Sequence, residues 1–256
     1  TNDASALHYT TELERRESDW LRLRPASFIV PNPVDMTEFA RLPARGSFRR
    51  EHSIPDDADL VLYLGRLEPR KGLDLTLASF TKVASVNSKA CLVLAGPEED
   101  GYMQVLENMA TRFGIADRIL FTGYLDAQTR LTALVDADVF ILTSYSENFG
   151  MAIVEAMATG LPVIISDQVG IAEDLRLEQA GVVVSLNIEE IARGLVELLA
   201  SAKMRETLGH RAMQVARERF SPKRVAEAML KEFARASDAS LPGIKRHGYR
   251  KNSQDT

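Results

Sequence analysis

The chain has 256 residues, 45% apolar and 26% charged, which fits one large globular domain with appendages. A formal net charge of -5 argues against a nucleic-acid binder, and a single cysteine, Cys91, excludes a disulfide framework and points to a reducing, cytoplasmic compartment. No apolar run approaches the roughly 20 residues that span a bilayer, and the polar, acidic start is no signal peptide; peripheral membrane contact through a surface patch stays open.

Residues 1–30 read as one helical pattern, ALHYTTELERRE, and one short strand, SFIV (27–30). The two prolines of PNPV (31–34) forbid regular pairing and mark a linker. Residues 39–59 read as a loop with a short helix. From there the runs LVLYLG (60–65), CLVLAG (91–96), RILFTG (118–123), DVFILTS (138–144), PVIIS (162–166) and GVVVS (181–185) are near-continuously apolar. Strands buried on both faces look like this. Between them lie helical periods such as LDLTLASFTKVASV, where Leu73, Leu77, Phe80 and Val83 share a face, and GYMQVLENMATRFG. This alternation predicts an α/β fold with a doubly wound, Rossmann-like parallel sheet. Residues 187–236 read as three helices, the last begun by Ser221 and Pro222, and the tail 237–256 reads as disordered.

Two stretches carry chemistry. GRLEPRKG (65–72) follows the first sheet strand and puts Arg66, Arg70 and Lys71 in a loop that feeds a helix. Cations at the carboxyl edge of a parallel sheet are placed to bind phosphate. The loop is no Walker A motif, since Lys71 is followed by Gly72, and it holds no G-x-G-x-x-G. On charge alone it is equally a solvated basic turn.

The second stretch, TSYSENFGMAIVEAMATGLPVI (143–164), reads as a strand end, a loop, and a helix stopped by Gly160 and Pro162. Gly150 falls at the helix N-terminus, where free N–H groups and the helix dipole favour an anion. Glu147 precedes that terminus and Glu155 follows it on the helix. Two carboxylates flanking a phosphate site suit hydroxyl groups on either side, one set from a ribose and one from a sugar. The plain alternative is an exposed helix cap and an exposed helix surface.

Taken together, Gly-Arg-Leu-x-x-x-Lys-Gly and the later Glu-x-x-x-x-x-x-x-Glu with Ala-Met-Ala-x-Gly-x-Pro-Val resemble the retaining GT-B glycosyltransferases of the group 1 family. The resemblance covers about residues 29–236. It implies that the chain is the C-terminal, donor-binding half of such an enzyme, with the donor a nucleoside-diphosphate sugar and the acceptor unnamed. By that resemblance Arg66 and Lys71, with Gly65 beside them, hold the diphosphate. Glu155 holds the ribose, Glu147 meets the transferred sugar, and Asn148, Phe149, Gly150 and Met151 cradle phosphate and sugar with main chain. The base lies near Gly96 and the Tyr124–Leu125 turn. Glu147, Arg66 and Lys71 are the catalytic set. Phe149 is expected as a wall of the sugar pocket.

No metal and no cofactor beyond the donor substrate is expected. D-x-D binds a divalent ion in a different glycosyltransferase fold, but DAD (136–138) starts a strand at the far edge of the sheet and reads as structural. His8, His52, His210 and His247 lie away from the motifs and share no ligand spacing. The expected division is 1–34, a remnant of the acceptor domain with the interdomain linker; 35–220, the nucleotide-sugar-binding domain; 221–236, a terminal crossover helix; and 237–256, the tail. The chain is then a fragment or a natural truncation, and a missing N-terminal domain or a second chain covers its cleft, leaving apolar surface bare without it. The competing functions are a sugar-nucleotide epimerase of the same fold and a non-catalytic nucleotide-sugar-binding module.

Overall fold

The computed structural model describes residues 4–98 and 100–238. Its centre is a six-stranded, all-parallel sheet with the order β5-β4-β3-β6-β7-β8. The strands are β3 (Asp59–Leu64), β4 (Ala90–Ala95), β5 (Ile119–Gly123), β6 (Val139–Leu142), β7 (Val163–Ser166) and β8 (Val182–Val184). Each apolar run of the sequence thus forms a strand, with ends that differ by no more than two residues. Leu62, Tyr63, Val93, Phe140, Ile141 and Ile164 are fully buried, so side chains on both faces of the central strands are covered.

The order records how the chain winds. After β3 it moves outward through α3 (Leu73–Val86), β4, α4 (Tyr102–Phe113) and β5, then returns through α5 (Ala127–Asp136) to lay β6 on the other side of β3. It continues outward through α6 (Met151–Ala158), β7, α7 (Ala172–Glu178) and β8. The direction therefore reverses between β3 and β6, and the loops leaving their carboxyl ends diverge to open a crevice. The two carrying motifs are these loops. α8 (Ile188–Ala200) packs on α3, and α9 (Ala202–Arg219) packs on α6.

Preceding this domain, β1 (Ala6–Tyr9) and β2 (Ala26–Ile29) form a separate two-stranded parallel sheet bridged by α1 (Glu12–Glu17). The helix expected over ALHYTTELERRE is thus half wrong: its first residues are a strand, and Thr11 begins the helix by accepting the Glu14 amide at 3.1 Å. Residues 31–34 form neither helix nor strand, in keeping with their two prolines, and α2 (Ser47–Glu51) is the short helix of the next segment. α10 (Pro222–Asp238) returns toward β2, where Phe233 meets Phe28 edge to face at 6.4 Å. It runs two residues into the expected disordered tail; positions 239–256 of that tail lie outside the described residues, as does His247. Around this second unit Trp20 (78% exposed), Leu21, Leu230 and Phe233 are bare apolar side chains. No helix among the described residues is long and apolar enough to cross a membrane.

Candidate active site

The loop after β3 is drawn tightly over its neighbours. Gly96 comes so close to it that a Cβ there would lie 1.9 Å from the Gly65 carbonyl oxygen. A 3-10 turn over Pro69–Lys71 then ends at Gly72, whose φ of +65° lets the chain enter α3. The Thr143 hydroxyl donates to the Gly72 carbonyl at 2.9 Å, and the Tyr145 amide donates to the Arg70 carbonyl at 2.9 Å. The loop after β6 is thereby stitched to the loop after β3 across the crevice.

The second loop is fixed on its other side too. The Glu147 amide donates to Gln168, and the Gly170 amide donates to the Glu147 carbonyl. Thr11, the same residue that caps α1, donates its hydroxyl to the Asn148 carbonyl at 3.1 Å. The loop ends at Gly150, which is the N-cap of α6 with a φ of +84° and no capping side chain. No side chain therefore caps the first-turn amides of α6, of which that of Ile153 donates to the Gly150 carbonyl at 2.9 Å.

These constraints bring the predicted residues into two adjoining groups. In the first, the Lys71 ammonium lies 2.5 Å from a Glu147 carboxylate oxygen, with both side chains largely buried. Glu68, buried, sits behind them at 3.3 Å from Arg66, 3.5 Å from Arg70 and 3.9 Å from Lys71. One carboxylate thus gathers all three cations of the loop. The Tyr63 hydroxyl, beneath, donates to the Arg66 carbonyl at 2.6 Å.

The second group surrounds a cleft of about 320 Å3. Gly65, Arg66 and Gly96 line one side of it, and Tyr124 and Leu125 line another. Met151 and Glu155 of α6 close the third. Leu64, Ala95, Pro97, Ala127 and Ala152 make much of the remaining surface, so a flat apolar ligand face finds support here. Tyr124 is 76% exposed and stands at the mouth. Lys71, Glu147 and Gly150 do not line this cleft; they adjoin it through Arg66 and the start of α6.

Glu155 is largely buried in this cleft, and its burial raises its pKa above the usual carboxylate range, against the opposing field of Arg130. Arg130, on α5, lies 3.3 Å from Glu155 and 3.2 Å from Glu38. Neither Arg130 nor Glu68 was singled out in the sequence. Glu68 stood within the motif itself, but a carboxylate among cations reads as surface charge. Arg130 carried no local signal at all.

Two expectations about side chains resolve differently. Phe149 is not a wall of the sugar pocket: it is 3% exposed and meets Phe220 edge to face at 5.6 Å. Its ring is more stable in the core than facing a polar ligand. Asp136 and Asp138 are structural, as read from their place at the start of β6. Asp136 accepts the Gly46 and Arg49 amides, and Asp138 accepts the Leu60 amide at 2.8 Å and pairs with Arg45 and Arg49. Among the histidines, His8 is bonded to the Val30 carbonyl at 2.7 Å, and His52 rests on Phe48.

The likeness to known proteins agrees with this arrangement. The family described as glycosyl transferases group 1 matches residues 44–215. An uncharacterised glycosyltransferase of Methanocaldococcus jannaschii is 30% identical over 182 residues, 71% of this chain and 46% of that protein. The D-inositol 3-phosphate glycosyltransferase of Rhodococcus erythropolis is 30% identical over 245 residues, 93% of this chain and 52% of that protein. The chain therefore spans about half the length of the curated relatives it matches. Among solved structures, Anabaena HepE in complex with UDP and glucose superimposes with a TM-score of 0.81 at 20% identity, over 91% of this chain and 64% of that one. The chain belongs to the group 1 glycosyltransferases and carries their GT-B C-terminal domain.

Proposed function

We propose that this chain is the donor-binding half of a retaining glycosyltransferase that takes a sugar from a nucleoside-diphosphate sugar without a divalent metal. The observation that carries the reading is the convergence at the β3/β6 switch point. There the cationic loop Gly65–Gly72, the uncapped start of α6 and the carboxylates Glu147 and Glu155 meet across stitched loops.

On this reading the nucleoside occupies the cleft between Gly96, Tyr124 and Glu155, and Glu155 accepts the ribose hydroxyls. The diphosphate lies over the first turn of α6, with Arg66 and Lys71 as its counter-charges. Charge that develops on the departing diphosphate is stabilised there more than in the ground state, which lowers the barrier to breaking the anomeric bond. Glu147, released from Lys71 as phosphate takes its place, is positioned to accept hydrogen bonds from the transferred sugar. That HepE was solved with UDP and glucose on the same fold supports this class of donor. Retention of anomeric configuration and metal independence are carried over from the family resemblance. The bare apolar side chains around Trp20 and Phe233 support a covering N-terminal domain that brings the acceptor. A cytoplasmic location belongs to the same reading, since the lone Cys91 suits reducing conditions.

A thermal-shift panel of UDP, GDP, ADP and their sugars tests the proposal. A true ligand at 100 times its Kd stabilises by about 2.7 kcal/mol, several degrees for a domain of this size. Arg66→Ala and Glu155→Ala should each remove most of that shift; unchanged affinity in both sinks the assignment. Product anomer analysis by NMR, on a protein that includes the acceptor domain, tests retention.

A further inference from the structure

We propose that Arg130 is a positioning residue that fixes the Glu155 carboxylate as the acceptor for a nucleotide's ribose hydroxyls, and so sets the preference for a ribonucleotide donor. The inference rests on the donor-site reading above and extends it to a residue outside both motifs.

Arg130 and Glu155 line the same cleft, from α5 and α6 respectively. The guanidinium uses both arms: Nη1 lies 3.3 Å from Glu155, and Nη2 lies 3.2 Å from Glu38. Glu38 belongs to the segment that follows the 31–34 linker, so the fork is anchored from a third element. A guanidinium held at both ends presents a fixed plane to its partners.

Glu155 needs such a partner. Its surroundings are largely apolar, with Leu64, Leu125, Met151 and Ala152 in the cleft wall, and its side chain is 15% exposed. Burial of that kind favours the protonated form, which has lost part of its acceptor capacity. A carboxylate that accepts from two neighbouring hydroxyls must be ionised and held in one plane. Arg130 supplies the charge that keeps it ionised and the contact that orients it. Among the described residues, the charges acting on Glu155 are Arg130 from α5 and Glu38 from the post-linker segment, and Arg66 from the loop after β3 lines the same cleft. Of these, Glu38 opposes ionisation, so it moderates Arg130 while anchoring it.

The test is calorimetric titration of the full chain with UDP, GDP and ADP, then with the 2′-deoxy form of whichever binds. The ribonucleotide should bind the unaltered chain more tightly than its deoxy form. Arg130→Leu should weaken the ribonucleotide about 10-fold while scarcely affecting the deoxy form, so the preference collapses. Arg130→Lys should recover part of it. Affinity should fall as pH drops and Glu155 takes a proton, and Arg130→Leu should move that fall to higher pH. Glu38→Gln, which keeps a hydrogen-bond acceptor for Arg130 and removes a repelling charge, should move it to lower pH. That second variant keeps the test alive if Arg130→Leu fails to fold. A ribonucleotide preference that survives Arg130→Leu, or a pH profile that neither variant moves, overturns the inference alone if Glu155→Ala still loses binding. A flat panel for all three nucleotides overturns the inference together with the donor-site reading.

Discussion

Lys71 and Glu147 are 76 positions apart in the sequence, yet the Lys71 ammonium touches the Glu147 carboxylate at 2.5 Å. They meet because β3 and β6 are neighbours, and because the Thr143 hydroxyl and the Gly72 carbonyl tie the following loops together. In the absence of ligand each holds the other's charge. On the function proposed above, a diphosphate that claims Lys71 breaks this pair, and the freed carboxylate then faces the sugar. On that reading the pair is a closed form of the donor site rather than an accessory to it.

A double-mutant cycle with Lys71→Met and Glu147→Gln measures that closure. Each single change leaves a largely buried charge without its nearest partner and should lower stability by about 1–3 kcal/mol. The double variant should lose less than the sum, since neither charge is then orphaned. Strictly additive losses in urea denaturation would mean that the pair does not exist in solution. Lys71→Met should also weaken nucleoside diphosphate far more than nucleoside.

Glu155 carries a different signature, one of function against stability. Burial lifts its pKa above the ordinary 4.5, so the folded state binds its proton more tightly than the unfolded state does. Stability from this group is therefore greatest below the unfolded value and declines as pH rises through the folded one. At neutral pH the ionised carboxylate is a net burden on the empty protein. Glu155→Gln should then raise the Tm of the unliganded chain at pH 7, with the gain vanishing near pH 4, while nucleotide affinity is lost. A lower Tm at pH 7 would show that the Arg130 bridge outweighs desolvation.

The sheet and its crevice were legible because their causes are local. Six apolar runs with helical periods between them leave few foldings other than a doubly wound sheet, and Gly72 and Gly150 announce loops at strand ends. The residues that were missed owe their roles to distant partners. Arg130 faces Glu155 only because α5 and α6 converge on one cleft. Phe149 looked like a pocket wall beside Gly150, but its place is set by Phe220, at the far end of α9. Ala6–Tyr9 continued the helical period of the following residues, and only pairing with β2 makes it a strand. Short-range patterns decide element type; which side chain a ligand meets depends on packing between elements.

Gly72 is the position where backbone geometry and site assembly coincide. Its φ of +65° is unfavourable for other residues, and a Cβ would lie 2.0 Å from the Thr143 carbonyl oxygen. Backbone cannot swing aside as a side-chain tip does, so Gly72→Ala must push the two loops apart. The expected loss exceeds about 2 kcal/mol, above the usual cost of a surface change. Nucleotide affinity should fall with it, because Lys71 and Glu147 ride on these loops. A variant of unchanged stability and affinity would show that the loops are not in contact as described.

At the opposite end of the sheet, Arg49 is 1% exposed and donates to the Pro55, Ala58 and Asp136 carbonyls, each at 2.9 Å. It also reaches the Asp138 carboxylate at 2.9 Å, and its amide donates to Asp136. The D-x-D carboxylates are thus occupied in tying α2 to the first residues of β3 and β6, far from the crevice. Removing the guanidinium takes an ion-pair partner from the buried Asp138 carboxylate and the donors from the buried Pro55, Ala58 and Asp136 carbonyls, so Arg49→Met should cost about 3–5 kcal/mol. The folded fraction should nevertheless bind nucleotide with its normal Kd, since no cleft residue has changed. If these aspartates instead held a catalytic cation, binding would respond to metal. Titrations in EDTA, in Mg2+ and in Mn2+ should therefore give the same nucleotide affinity, and a tenfold gain with either cation would return Asp136 and Asp138 to the list of ligands.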